Sequence, residues 1–237
     1  MMRLLVVRII LSGALAISAR AAPFYLRYDA DETFPEQSGF TRRTIDPDGV
    51  LRRNVEDGVF TIDSRASASI VDLYRVRSDA FILGVDEEFR LSWRMRTLED
   101  TGRPSQTDVA MFITNNEAAW VDLQLGPEFV SEDEILFGEP EHFYPFAPGI
   151  FHEFSLRSTD MLSYGLFVDG QFAFEGRFHN QAISGPNLVS FGDEIAGLAS
   201  LSQWDYVEIA VVPEPELSLW LLAFCAFIQL SLHRSNP

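Results

Sequence analysis

The sequence predicts an all-β domain, either a sandwich or a barrel, and three observations support this fold class. Between residues 23 and 212, short runs of alternating apolar and polar residues are separated by Gly, Pro, Asp and Asn turns. This region has no internal repeat, low-complexity run or long amphipathic helix. The chain has 237 residues, 47% of them hydrophobic, which is enough to bury a substantial core. We therefore expect helix to be a minor component.

The stretch 89–96 is the clearest single strand. Its apolar positions Phe89, Leu91, Trp93 and Met95 alternate with Arg90, Ser92, Arg94 and Arg96. Because side chains along a strand point to opposite faces in turn, this pattern predicts a half-buried antiparallel strand.

Two strands are predicted in the middle of the chain. Residues 109–114 are apolar at both alternating sets of positions, so both faces of that strand should be partly apolar. In 120–125, Val121, Leu123 and Leu125 form an apolar face. The opposite face carries Trp120, Asp122 and Gln124.

The end of the body predicts a hairpin and a last strand. Asp169 and Gly170 separate two apolar runs, and this pair favours a two-residue turn that needs positive φ at its centre. Residues 204–212 alternate again and predict the final strand of the body.

Charge and cysteine content exclude several classes of protein. The formal net charge is −17, and all 18 basic side chains are arginine. A surface this acidic repels phosphate backbones, which argues against a nucleic-acid partner. The only cysteine, Cys225, lies in a C-terminal apolar run, so the body has no disulfide and depends on core packing.

The N-terminus, residues 1–21, predicts a secretory signal peptide. Arg3 and Arg8 flank an apolar stretch, and Ala19 and Ala21 form a small-x-small cleavage pattern. The mature chain should then begin near Ala22. The alternative is an uncleaved N-terminal membrane anchor.

The C-terminal run 217–232 predicts a transmembrane helix. At 1.5 Å per residue it spans roughly 24 Å, slightly less than the hydrocarbon core of a bilayer. Pro213 and Pro215 separate it from the body, and Arg234 gives it a positive end, which favours the cytoplasmic side. The alternative is a buried terminal helix, but the run is apolar on all sides.

The body contains, in order, the segments YDADETFPEQSGFT, NVEDGVFTIDSRAS, EEFRLSWRMR, FHEFSLRS, YGLFVDGQ, NLVSFGDE and QWDYVEI. In this order they resemble the concanavalin A-like lectin/glucanase superfamily in its laminin-G-like form, over residues 24–212. The resemblance implies one domain, 22–212, folded as a two-sheet antiparallel jelly roll whose first and last strands are adjacent.

The tail, VPEPELSLWLLAFCAFIQLSLHR, resembles the PEP-CTERM sorting signal of Gram-negative bacteria that make extracellular polysaccharide, over 213–237. This implies recognition by an exosortase-type membrane processing enzyme through Pro213, Glu214, Pro215 and Arg234, with cleavage near the Pro-Glu-Pro. Glu216 departs from the pattern, since a small serine-like residue is more usual there.

The sequence gives no sign of a catalytic centre, so we expect no enzyme activity. Laminarinase-type relatives carry a Glu-x-Asp-x-x-Glu strand, in which alternation brings the carboxylates together. Here the acidic clusters 86–88 and 132–139 have other spacings and favour solvated loops. The four histidines, His142, His152, His179 and His233, lie beside no Gly-x-Ser-x-Gly elbow.

Metal binding is limited to calcium by the residue types present. Without a Cys/His cluster a zinc site is not expected. Asp193 and Asp205 are the calcium candidates, because calcium takes several oxygen ligands. The alternative is that Asp193 caps a turn and Asp205 forms a hydrogen bond inside the sandwich. No other cofactor is predicted.

Carbohydrate binding is the leading functional hypothesis. Trp120 can cover an apolar sugar face while Asp122 and Gln124 bond hydroxyls, and Arg94, with Arg90 and Arg96, can contact acidic sugars. Alternatively, Trp120 covers a sheet and the arginines pair with carboxylates. We therefore expect an exported, non-catalytic surface or matrix protein that binds carbohydrate or another envelope component. The alternatives are a structural or adhesive module without a small ligand, and an unusual glycan hydrolase.

Overall fold

The structure is a computed structural model that describes residues 24–31, 33–67, 69–100, 109–125, 128–131, 143–145, 147, 149–179, 185–193 and 200–213. The predicted signal peptide with Ala19 and Ala21, and the predicted sorting signal after Pro213 with Glu214, Pro215 and Arg234, lie outside these residues. In the described part of the chain, no helix has the length and apolar character needed to cross a membrane.

The described residues form fifteen β-strands and two short 3-10 helices, Pro35–Ser38 and Asp79–Phe81. The strands are β1 (Phe24–Asp29), β2 (Thr41–Ile45), β3 (Arg52–Glu56), β4 (Val59–Asp63), β5 (Val71–Arg77), β6 (Glu87–Asp100), β7 (Val109–Thr114), β8 (Trp120–Leu125), β9 (Glu128–Ser131), β10 (Phe143–Pro145), β11 (His152–Ser158), β12 (Ser163–Val168), β13 (Gln171–Arg177), β14 (Leu188–Asp193) and β15 (Ser200–Pro213). The prediction of an all-β domain is confirmed.

The strands form two antiparallel sheets. Sheet A has the order β13-β12-β11-β6-β15-β4-β3, with β1 also pairing with β15, and sheet B has the order β10-β9-β8-β7-β14-β5-β2. The first and last strands are adjacent, since Phe24 lies opposite Val211, as the resemblance implies. The two-sheet antiparallel sandwich is therefore confirmed.

Alternating sequence positions decide which face of each strand is buried in the core. Phe89, Leu91, Trp93 and Met95 of β6 have no exposed surface, as the alternation predicts. In β7 all six residues are buried, which agrees with the apolar character of both its faces. We call the face of each sheet that points away from the other sheet its outer face.

Aromatic rings fill the core between the sheets. Trp93 of β6 stacks on Phe154 of β11 with ring centroids 5.2 Å apart, and Phe191 of sheet B meets Trp204 of sheet A at 5.0 Å. Such pairs contribute about 0.5–1.5 kcal/mol each beyond the burial of their area. The core thus gains stability from contacts within a sheet and between sheets.

The predicted hairpin between β12 and β13 is present. Val168 lies opposite Gln171, and the two turn residues Asp169 and Gly170 have φ of 50° and 75°. Positive φ at both central positions matches the twist of antiparallel strands. The turn fixes β13 beside β12 at the edge of sheet A.

Candidate functional site

The predicted carbohydrate face lies on the outer face of sheet B. Trp120 and Asp122 occupy alternate positions of β8, and Gln124 occupies the next alternate position. Cross-strand register continues the row from Asp122 through Phe112 of β7 to Ser190 of β14. All three side chains of that row are buried. This part of the face is therefore closed to solvent, whereas the predicted sugar contact needs it to be exposed.

Trp120 is held between two other rings. Phe112 stacks on it at 5.9 Å, and His179 stacks on it at 5.0 Å from the opposite side of β8, where the two residues form a β-bridge. The side chain of Trp120 is only 2% exposed. A sugar ring can therefore stack on this indole only if His179 moves. The Trp120 ring thus packs against its own sheet. This is the alternative to sugar binding that the sequence left open.

The structure places the arginine candidates on the outer face of the other sheet. Arg94 forms an ion pair with Asp205 of β15, and the guanidinium of Arg96 donates to the Gln203 side chain at 2.7 Å. Arg90 pairs with Glu88. Arg94 is thus separated from Trp120 and Asp122 by the core of the sandwich.

The calcium candidates also lie on different sheets. Asp205 bonds Arg94 on the outer face of sheet A, whereas Asp193 is the last residue of β14 and is fully buried opposite Asp72 of β5. Asp72 accepts hydrogen bonds from Arg42 and Tyr74. Within the described ranges no three His, Cys, Asp or Glu side chains form a group that could hold a metal ion. Calcium binding stays a prediction.

Asp193 is electrostatically unusual. Neither of its carboxyl oxygens has a hydrogen-bond partner with normal geometry in the described part of the chain. Burial raises its pKa to about 7, and the charge of Asp72 adds to the rise, while the nearby Ser64 hydroxyl opposes it. The folded protein therefore holds a neutral acid inside the sandwich below about pH 7.

The acidic cluster 86–88 overlaps the start of β6, which begins at Glu87, so the expected solvated loop is wrong for Glu87 and Glu88. All three residues have structural roles. Asp86 adopts a φ of 63° in the turn, and Glu87 accepts a hydrogen bond from the Gly84 amide at 2.6 Å. Glu88 bonds Arg90 with Nε and Oε1 2.5 Å apart. The other acidic candidates, Glu132, Asp133, Glu134 and Glu139, lie outside the described residues.

The two described histidines are bound to neighbouring groups. His152 Nδ1 lies 2.7 Å from Asp169, while His179 and Ser190 lie on either side of the stacked Trp120 and Phe112 rings. Ser190, as a nucleophile, and His179, as a base, are therefore not in contact with each other. His142 and His233 lie outside the described residues.

A shallow hollow opens on the outer face of sheet A. Glu175 of β13, Gly165 of β12 and Arg157 of β11 lie opposite one another in register. Because Gly165 has no side chain, the row is interrupted between the exposed Glu175 and Arg157. A Cβ at Gly165 would meet no atom closer than the Phe167 ring at 3.5 Å, so the backbone does not require glycine here.

This Gly165 hollow encloses about 210 Å³ and combines an aromatic ring with hydrogen-bonding groups. The residues that line it include Glu88, Arg157, Ser163, Gly165, Phe172 and Glu175. Phe172 is 60% exposed and contacts Phe167 edge to face at 5.6 Å. The guanidinium of Arg157 lies over the Phe167 ring at 4.7 Å. Both side chains therefore contact the same ring, that of Phe167.

The turn between β11 and β12 fixes the rim of the hollow. Asp160 accepts hydrogen bonds from the Leu162 and Ser163 amides at 2.8 and 2.9 Å. Burial favours the neutral form of this carboxyl, but the amide donors outweigh it and lower the pKa of Asp160. Ser158 adds hydrogen bonds to Met161 and Ser163. The rim is thus held by charge-assisted bonds.

The sequence reasoning did not find this hollow. The available signal was Gly165 inside the alternating run 163–168, because a glycine in a strand marks a position without a side chain to pack. Only the pairing of β11, β12 and β13 shows that Arg157 and Glu175 flank it.

Comparison with solved structures supports the fold. A carbohydrate esterase of the Shiga toxin-encoding bacteriophage phi24B superposes with a TM-score of 0.60 at 10% identity, covering 78% of this chain and 97% of that chain. A protein of unknown function from Shewanella oneidensis MR-1 superposes with a TM-score of 0.51 at 11% identity, covering 87% and 95%. At these identities the likeness shows a shared fold alone. No family model and no curated protein sequence matches the chain.

Proposed function

We propose that this is an exported, non-catalytic surface protein whose sandwich binds carbohydrate in the Gly165 hollow. The observation that carries the proposal is the exposed Phe172 ring beside Arg157 and Glu175 around a backbone floor. An aromatic face covers the apolar side of a sugar, while charged and hydroxyl groups bond its hydroxyls. The hollow has the size of one or two sugar units rather than of a long cleft.

Two further points support this function. The structurally similar phage protein is a carbohydrate esterase, so a carbohydrate ligand has a precedent on this fold. Catalysis is not carried over, because Glu88 is engaged by Arg90 and His179 is stacked on Trp120. The export and exosortase-type processing expected from the two ends of the chain would bring the domain to the cell envelope.

Two exposed aromatic residues provide a matched test. Phe172 and Tyr25 are each 60% exposed and both lie on sheet A, but only Phe172 lines the hollow. Full-length protein, purified in a polyoxyethylene detergent that has no sugar headgroup, is screened on a glycan array. Affinity for the glycans found is then measured by calorimetry. Phe172→Ala should weaken binding on the order of tenfold, which corresponds to about 1.4 kcal/mol.

Tyr25→Ala should bind like the wild type. Gly165→Val should abolish binding without lowering the melting temperature, because its Cβ has room and valine favours strands. Equal affinity of the wild type and Gly165→Val would reject the hollow as the binding site. Release of reducing sugar or acetate by the wild type would favour an enzyme instead.

A structural or adhesive module without a small ligand is the second candidate. The observation in its favour is the stacking of Phe112 and His179 that covers Trp120 on the outer face of sheet B. A glycan array without any signal from the wild type would select this candidate.

A further inference from the structure

Arg157 differs in its partners from several other arginines of sheet A. Arg27, Arg90 and Arg94 each pair with a carboxylate on the outer face. Arg157 forms no ion pair with any described residue; its guanidinium lies over the Phe167 ring instead. In a chain with 35 acidic and 18 basic residues, an exposed guanidinium beside a hollow, without a carboxylate partner among the described residues, is a cation available to a ligand.

The ring beneath Arg157 leaves its hydrogen-bond donors available. A guanidinium carries its five N–H groups in its plane, and a ring over one face does not occupy them. The same plane matches the two oxygens of a carboxylate, which it can bind with two parallel hydrogen bonds. The Phe167 contact at 4.7 Å therefore positions Arg157 for an anionic ligand.

The neighbouring acids form no ion pair with Arg157. Glu88, which also lines the hollow, forms an ion pair with Arg90, with Nε and Oε1 2.5 Å apart. Glu175 stands on the far side of Gly165, two strand spacings or about 10 Å from Arg157 by backbone geometry. This interval is wide enough for a pyranose ring between Arg157 and Glu175, beside Phe172.

We infer that the Gly165 hollow selects a carboxylated sugar, a uronic acid residue of a polysaccharide, through Arg157. This rests on the proposed function, since it specifies the ligand of the same site. Arg157 acts as the specificity-determining residue: it binds the carboxylate, Glu175 binds ring hydroxyls, and Phe172 supports the sugar face.

The test compares acidic sugars with neutral counterparts of the same shape. Calorimetry on the full-length protein in polyoxyethylene detergent uses oligomers of galacturonate, glucuronate and mannuronate, each beside its carboxyl-reduced form. We expect at least one uronate oligomer to bind on the order of tenfold more tightly than its reduced form, as a charge-assisted contact implies. The preference should shrink as salt is raised from 20 to about 500 mM, since exposed charges are screened.

Two variants of equal net charge separate a local contact from the overall field. Arg157→Gln should remove the preference, so that the acidic oligomer and its reduced form bind with equal affinity. Arg52→Gln, on the exposed edge strand β3, loses the same charge and should keep the preference. Arg157→Lys keeps the charge without the planar fork and should recover only part of it.

The outcomes distinguish the two proposals. Equal binding of acidic and reduced oligomers, abolished by Gly165→Val, would overturn the inference and leave the carbohydrate site standing. Loss of preference in both Arg157→Gln and Arg52→Gln would also overturn it, because the net charge would then be the cause. No binding of any oligomer, acidic or reduced, and no array signal would overturn the proposed function itself.

Discussion

Replacing Asp193 by asparagine should remove a pH dependence of stability that this carboxyl group creates. In the unfolded chain Asp193 ionises near the ordinary value of 3.8, whereas burial in the fold raises its pKa to about 7. Between these values the folded state binds more protons than the unfolded state. The free energy of unfolding therefore falls as pH rises from about 4 to about 7, and it is flat outside this window for this group.

The size of the effect follows from the same values. A rise from 3.8 to about 7 is roughly three pKa units, and each unit corresponds to about 1.36 kcal/mol. The folded protein should therefore lose up to about 4 kcal/mol between pH 4 and pH 7.5 through Asp193. This is a large share of the 5–15 kcal/mol by which domains are usually stable, so the change is measurable.

The assay is urea unfolding followed by tryptophan fluorescence at half-unit steps from pH 4.5 to 8. Asparagine has the shape of the neutral acid, so Asp193→Asn should lie within about 1 kcal/mol of the wild type near pH 4.5 and exceed its stability by several kcal/mol at pH 8. Subtracting one curve from the other cancels the titrations that both proteins share. A stability difference that does not change with pH would refute the raised pKa.

Three other predictions follow from the described contacts. Gly192→Ala should lower the free energy of unfolding by about 2 kcal/mol or more, because its φ is +132° and its new Cβ would lie 2.2 Å from the Asp72 carbonyl oxygen. The control Gly170→Ala, with φ +75° and no atom within 4 Å, should lower it by only about 1 kcal/mol. Thermal unfolding measures both. Trp120→Ala should lower the free energy of unfolding by about 3–5 kcal/mol, because it removes a ring from a buried stack. Protein that remains folded should keep its glycan affinity. Loss of glycan binding in folded Trp120→Ala would place the site on sheet B instead. Deleting 214–237, which spares all of β15, should release the protein in soluble form, and unchanged membrane fractionation would count against the sorting helix.

Alternation predicted the strands well because it reports a local property of the chain. The apolar positions of β6 and the Asp169-Gly170 turn need only neighbouring residues to be recognised, and both are confirmed. Pairing brings residues together from distant parts of the chain. Arg157 and Glu175 became neighbours of Gly165 only through two strand pairings, so the hollow has no continuous sequence pattern.

The alternation of apolar and polar residues also distinguishes the two faces of a strand, but it does not show which face is exposed to solvent. The outer face of β8 carries Trp120 and Asp122 and was expected to be open, but Phe112, His179 and Leu188 from other strands and loops pack there. Asp193 shows the same limit, because the sequence leaves open whether it binds calcium or caps a turn. The structure instead gives it a position opposite Asp72, more than a hundred residues earlier in the chain.

The pairing of β15 has a mechanical consequence. This strand ends at Pro213, where the segment predicted to carry the sorting signal begins, and it is hydrogen-bonded to β6 on one side and to β1 and β4 on the other. Ladder hydrogen bonds run perpendicular to the strands, so tension applied at Pro213 along the strand axis loads them in shear, all at once. A load of the opposite kind, applied across the ladder at Phe24, would peel β1 away one pair at a time. A domain that is tethered at its C-terminal end and pulled by a bound polymer would therefore be loaded in shear, the direction in which its hydrogen-bond ladder resists force best.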